Sequence, residues 1–184
     1  MGTPRFDPTH SLEFNFDRGT VKIGGHGERV LVPADVLASL LKGADADTRK
    51  DFAHRLGTEA GRRVGERIDG TASIPAVVEH LGGELALMGL GSLGLERWGR
   101  AVVVTITGSP LRAEGDDVLA GVIEGALMRA FGRSASVVPI QRDDSLVRLL
   151  VVSPDAAKRV RSWLDSGVSF GDALARLNGA GGSS

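Results

Sequence analysis

Apolar and polar positions along the chain follow two periods, each marking a different kind of element. Leu12, Phe14 and Phe16 alternate with Glu13 and Asn15, the period of a half-buried strand. Val21 and Ile23, beyond a turn at Asp17-Arg18-Gly19, return as its partner. Residues 101–107, AVVVTIT, carry no charge and are rich in Val, Ile and Thr, which predicts a strand near the middle of a sheet. Arg97 and Arg100 bracket Trp98-Gly99, a turn into that strand from a preceding one. Residues 136–140 and 146–152 predict two further strands, joined through the polar residues 141–145 as a hairpin.

Between the strands the apolar spacing changes to three and four. Val36, Leu37, Leu40 and Leu41 follow Pro33 and end at Gly43 as a short helix. A longer helix starts near Asp45 or Asp47 and runs to Ile68, with Phe52, Leu56, Ala60 and Val64 as its apolar stripe. Ser73 caps the next helix, whose apolar face runs from Ile74 to Met88. Residues 116–131 form another, terminated by Gly132, and Ser153-Pro154 opens a helix with Ala157, Val160, Trp163 and Leu164 inward. Ser169 and Asp172 cap a last one. The prediction is an α+β domain, an antiparallel sheet covered by helices. It comprises a flexible tail at 1–10, one domain over 11–178 that includes a helical extension at 154–178, and a disordered tail at 179–184.

Glycine adds a second pattern. Gly57, Gly61 and Gly65 recur every four residues on one helix, and Gly121 and Gly125 do so on another. Each costs about 1 kcal/mol relative to alanine in a helix, so the spacing implies close approach by a neighbouring backbone. Two partners fit: a second copy of the chain, making these five glycines a homodimer interface, or other elements of the same subunit. Residues 88–95, MGLGSLGL, either bend a strand or admit a ligand. In the second case Leu87, Leu90, Leu93 and Trp98 line an apolar pocket between the Gly57 helix and the sheet near residues 89–98.

Composition narrows the chemistry. A formal charge of −1, from 22 basic and 23 acidic residues, argues against a nucleic-acid partner. Without cysteine there is no disulfide and no thiolate chemistry. No apolar run reaches transmembrane length and no export signal opens the chain, so membrane insertion is not expected and the cytoplasm is the default location. A metal site would draw on His54 or His80 with Glu59, Glu79 or Glu84, but no pair of these closes a site, and the sequence implies no metal or other cofactor. No nucleophile, base and orienter stand in a recognisable motif, so no catalytic residue is assigned. Gly24-Gly25-His26-Gly27 reads as a flexible loop, a plain turn rather than an anion cradle, because no Lys or Ser/Thr of a phosphate loop follows. Glu124 is either a buried acid with a task or the partner of an arginine. Arg55, Arg62, Arg63 and Arg67 are expected to face solvent.

The order of elements resembles the 4-vinyl reductase-like domain family, whose fold is related to small subunits of vesicle-tethering complexes. The resemblance rests on 102–109, on Leu119-Ala120-Gly121 and the helix to Gly132, on Val137 and Val138, on the glycine-containing EAGRRVGERI at 59–68, and on the lead-in at 29–41. It spans residues 28–153. Many members carry cysteines near the start of the second core helix and around the final hairpin. Here those places read Asp116-Asp117 and Gln141-Arg142-Asp143, so a cysteine-based metal or redox role is not implied. What the resemblance implies is a non-catalytic module. One form is a homodimeric regulatory adaptor that meets a protein partner through its helices. The alternative is a sensor of a small apolar or aromatic ligand.

Overall fold

The computed structural model describes residues 5–9, 12–24, 26–68, 72–132 and 134–179. Of the two expected tails, 1–4, 10 and 180–184 lie outside the described residues. The uncharged run becomes β5 of a four-stranded antiparallel sheet made from β4 (Ser92–Trp98), β5 (Ala101–Thr107), β6 (Ser136–Arg142) and β7 (Leu146–Val152), in the order β4-β5-β7-β6. β5 is therefore interior, as its lack of charge predicts. Trp98 pairs with Ala101 across a tight turn where Gly99 holds φ +63°, a conformation glycine adopts without strain.

Among the described residues six α-helices accompany this sheet: α1 (Ala34–Gly43), α2 (Ala46–Arg67), α3 (Ile74–Leu87), α4 (Asp116–Phe131), α5 (Pro154–Asp165) and α6 (Phe170–Gly179). Their starts follow the capping residues. The Asp45 carboxylate accepts from the Thr48 amide at 2.7 Å, Ser73 and Ser153 accept at the third residue beyond, and the Ser169 hydroxyl meets Asp172. Among the described residues no helix is long and apolar enough to cross a membrane.

Strand alternation divides the sheet into two apolar faces. Val104, Ile106, Val147 and Leu149 point towards α2, α3 and α4, in a core with Leu85, Leu119, Val122 and Ile123. Ala101, Val103, Val138 and Leu150 point the other way and are covered by Ala157 and Val160 of α5 and Leu174 of α6. The C-terminal extension is thus a layer of the fold.

The glycine stripes meet inside one chain. A Cβ at Gly57 would lie 2.1 Å from the Val122 carbonyl oxygen, and one at Gly61 would lie 2.4 Å from that of Ala126. From the other side, a Cβ at Gly121 would meet the Ala53 methyl at 2.8 Å, and one at Gly125 the His54 carbonyl oxygen at 2.6 Å. Helices α2 and α4 pack backbone to backbone, and these four glycines are buried there. The expectation that they join two subunits is corrected: their faces are already occupied. Gly65 stands apart. It is exposed and only grazes Ala130.

The arginine expectation holds for Arg55, whose side chain is 80% exposed, and fails for Arg63, at 2%. Arg63 lies where α2 faces α3. Its Nε donates to Glu84, itself fully buried, at 2.5 Å, and its Nη1 donates to Glu59 at 3.0 Å. Arg67 Nη1 donates to the other Glu84 oxygen at 2.5 Å. Arg29 and Arg62 complete the shell around Glu59, at 2.6 and 3.0 Å. The hydrogen bond from Arg62, followed by that from Arg29, pulls the Glu59 carboxyl from its ordinary 4.5 to about 2.

Three further expectations change. His26-Gly27, read as part of a loop, opens β3 (His26–Arg29), which pairs with β2 (Thr20–Ile23); β2 in turn pairs with β1 (Leu12–Asn15) in a separate three-stranded sheet. The alternating residues of β1 are not half-buried, since Leu12 is 40% and Phe14 51% exposed. Within residues 5–9, part of the tail expected to be flexible, Phe6 is docked. The Phe6 ring occupies the space that a Cβ at Gly83 would fill, lies edge-on to His80 and sits 5.1 Å from the Arg67 guanidinium, while the Phe6 amide donates to Glu79. The two places where the resembled family carries cysteine are tied here by an ion pair. Arg142 grips both Asp116 oxygens and donates to the Leu111 carbonyl at 3.1 Å, joining hairpin to helix start.

Candidate functional site

The feature most suited to binding is a cleft of about 540 Å³ on the inner face of the sheet. Its floor is Leu93 and Leu95 of β4, Val102 and Val104 of β5, and Val151 of β7. One wall is α3, through Ile74, Val77, Val78 and Leu81. The other is the second half of α4, through Ile123, Leu127 and Phe131, with Ala72 and Ala135 at the rim. Every one of these side chains is apolar. The volume lies within the range of small-molecule sites, about 300–1,000 Å³.

The packing explains why the space stays open. Helix α4 is drawn onto α2 by the glycine seam, and α3 is held to α2 by the buried Arg63–Glu84 pair. α3 rests on β4 and α4 on β6, and the cleft opens between them over the middle of the sheet.

Of the four residues proposed as pocket lining, the structure places Leu93 in the cleft and the other three elsewhere. Leu90 is packed in the core at 4% exposure, and Leu87 is half-buried at the end of α3. Trp98 lies across the sheet, its ring 5.0 Å from that of Phe170 and its indole N–H donating to Glu96 at 2.8 Å. Leu93 and Trp98 are five residues apart on one strand, and odd spacing puts them on opposite faces. Val102, Val104, Val151 and the α4 side chains were missed because each reads from sequence as ordinary core.

The polar candidates are committed to other contacts. Glu84 is held by Arg63 and Arg67, Glu59 by three arginines, and Glu79 by the Phe6 amide. Among the described residues no three His, Asp or Glu side chains gather as a metal site. Glu124 is largely buried. It accepts the Val137 amide at 2.6 Å, lies 3.4 Å from His54 and 4.0 Å from Arg161, and borders a smaller polar groove of about 250 Å³ with Arg49, Lys50 and Asp117.

The chain is an α+β domain with a small-molecule-sized apolar cleft over an antiparallel sheet. The fold matches the crystal structure of the phenol-responsive sensory domain of the transcription activator PoxR with phenol, at a TM-score of 0.56 over 94% of this chain and 98% of that one. Sequence identity is 16%, so the likeness is one of fold. No protein-family model matches the sequence, and no curated protein matches it either.

Proposed function

We propose that this protein is a regulatory sensor that takes a small apolar or aromatic molecule into the α3–α4 cleft and passes the occupied state to a protein partner. The observation that carries this reading is the cleft itself, walled by apolar side chains from five elements. The fold shared with a domain described as phenol-responsive supports it, as does the resemblance of residues 28–153 to the 4-vinyl reductase-like family, to which we assign the chain as part of this reading. Burying a single aromatic ring removes about 150–200 Å² of apolar surface from water, worth about 4–5 kcal/mol. That corresponds to dissociation constants from about 1 mM to a few hundred micromolar. Isothermal titration with a panel of small aromatics tests this. Wild-type protein binds in that range, and Leu127→Trp, which fills the cleft, does not. Equal binding by both proteins places the ligand elsewhere and overturns the reading.

A homodimer is the assembly we propose for this sensor, through a surface other than the glycine seam. Eight large apolar residues stand exposed in the N-terminal region: Leu12, Phe14 and Phe16 around β1, Val30, Leu31 and Val32 in the lead-in, and Val36 and Leu40 on α1. Summed residue by residue, their exposed parts come to about 650 Å², taking about 200 Å² for Phe and 100 Å² for Val or Leu. A standard interface needs about 800 Å² per partner, little more than half of it apolar. Light scattering tests the assembly: a wild-type dimer that becomes a folded monomer on Leu31→Glu supports it, and a wild type that stays monomeric at high concentration ends it.

A further inference from the structure

We infer that the cleft selects hydrocarbons over their hydroxylated counterparts, so that its ligand is an aromatic hydrocarbon bearing no hydroxyl group. The inference rests on the sensor reading above and adds the ligand class. Among the described residues, none that lines the cleft carries a side-chain hydrogen-bond donor or acceptor. Polar residues neighbouring the lining are engaged elsewhere, and Ser73, between Ala72 and Ile74, accepts the Ala76 amide as the cap of α3. On α3, Glu79 takes the Phe6 amide, His80 lies against the Phe6 ring and Glu84 is gripped by two arginines. On α4, Glu124 takes the Val137 amide. Two of the three floor strands, β5 and β7, are interior to the sheet and direct their backbone groups to neighbouring strands, while the third, β4, is an edge strand paired with β5.

A phenolic hydroxyl directed at the floor or walls of this cleft leaves its hydrogen bonds to water and finds no side chain to replace them. An added methyl group, by contrast, gains contact and loses nothing polar. Apolar pockets discriminate against an added hydroxyl by up to about a hundredfold. Size points the same way. About 150 Å³ suffices for benzene in a dry protein cavity, and this cleft is larger, at about 540 Å³. It therefore has room for an alkylated ring or a fused pair of rings.

The test compares matched pairs on the intact chain, toluene against p-cresol and naphthalene against 2-naphthol, by isothermal titration or by NMR. The expected result is that each hydrocarbon binds about tenfold to a hundredfold more tightly than its hydroxylated partner. Val102→Thr, nearly isosteric, sets a hydroxyl on the cleft floor and should narrow that ratio several-fold, with folding checked by circular dichroism. If the phenols bind as tightly as the hydrocarbons or more so, this inference is overturned while the sensor reading survives. If neither member of either pair binds wild-type protein, both fall.

Discussion

Alanine substitutions along the glycine stripe of α2 should change stability with opposite signs at neighbouring turns. In a helix interior, Gly→Ala is worth about 0.8–1.0 kcal/mol in favour of alanine. At Gly65 that gain is available, because the new methyl would lie 3.6 Å from Ala130, an ordinary contact. Gly65→Ala is therefore expected to stabilise by about 0.5–1 kcal/mol. At Gly61 the methyl would lie 2.4 Å from the Ala126 carbonyl oxygen and 2.8 Å from its Cα. The obstacle is backbone, so relief requires α2 and α4 to separate by about 1 Å, and a gap of that size forfeits a quarter to a half of each contact it opens. Overpacking of this kind costs about 1–3 kcal/mol, leaving a net loss of up to about 2 kcal/mol after the propensity gain. Gly57, at 2.1 Å from the Val122 oxygen, should lose about 3 kcal/mol or fail to fold. Urea titration at constant slope reads all three. A Gly57→Ala protein as stable as wild type would refute the backbone seam between α2 and α4, and with it the explanation of why the cleft stays open.

Two further outcomes concern the charged cluster. Arg63→Gln should cost about 3 kcal/mol, the low end for breaking a buried pair because Arg67 still reaches Glu84. That is a drop of about 6–12 °C in Tm for a chain of this length. Arg55→Gln on the exposed side should stay within about 0.5 kcal/mol, and equal effects would show that Arg63 is solvated after all. Glu59 supplies a pH dependence. Its folded pKa of about 2 lies below the ordinary 4.5, so its contribution is complete above pH 4.5 and is lost as pH falls from there towards 2. Thermal melts across that window should decline more steeply for wild type than for Glu59→Gln, and parallel curves would contradict the assignment.

Local signals carried most of the architecture. Asp45, Ser73, Ser153 and Ser169 mark helix starts through one capping interaction each, and residues 101–107 mark the interior strand because a charge there would be buried on both faces. What could not be read locally depends on which element lies opposite. Arg63 looks like any surface arginine until α3 brings Glu84, 21 residues later, against it. Helix α2 is flanked by both α3 and α4, so its buried arc is wider than a single apolar stripe suggests. Gly57 and Gly61 suited an outside partner as well as an inside one, and only the placement of α4 decides between them. Little of the pocket was legible: Leu93 alone of its expected lining faces the cleft, and the expected wall, the Gly57 helix α2, contributes no side chain to it. Strand parity alone separates Leu93 from Trp98, whereas the gap between α3 and α4 arises from the joint packing of three helices on a sheet.

The central claim, an apolar binding cleft between α3, α4 and the sheet, is tested most directly by a methyl NMR titration with toluene. The account predicts saturable shifts in the methyl groups of Val77, Leu93, Val104, Ile123, Leu127 and Val151, which line the cleft. Those of Val103, Val138, Leu150, Val160 and Leu174, across the sheet, should stay in place. Cleft methyls that do not move at millimolar toluene, or shifts concentrated on the far face, would contradict it.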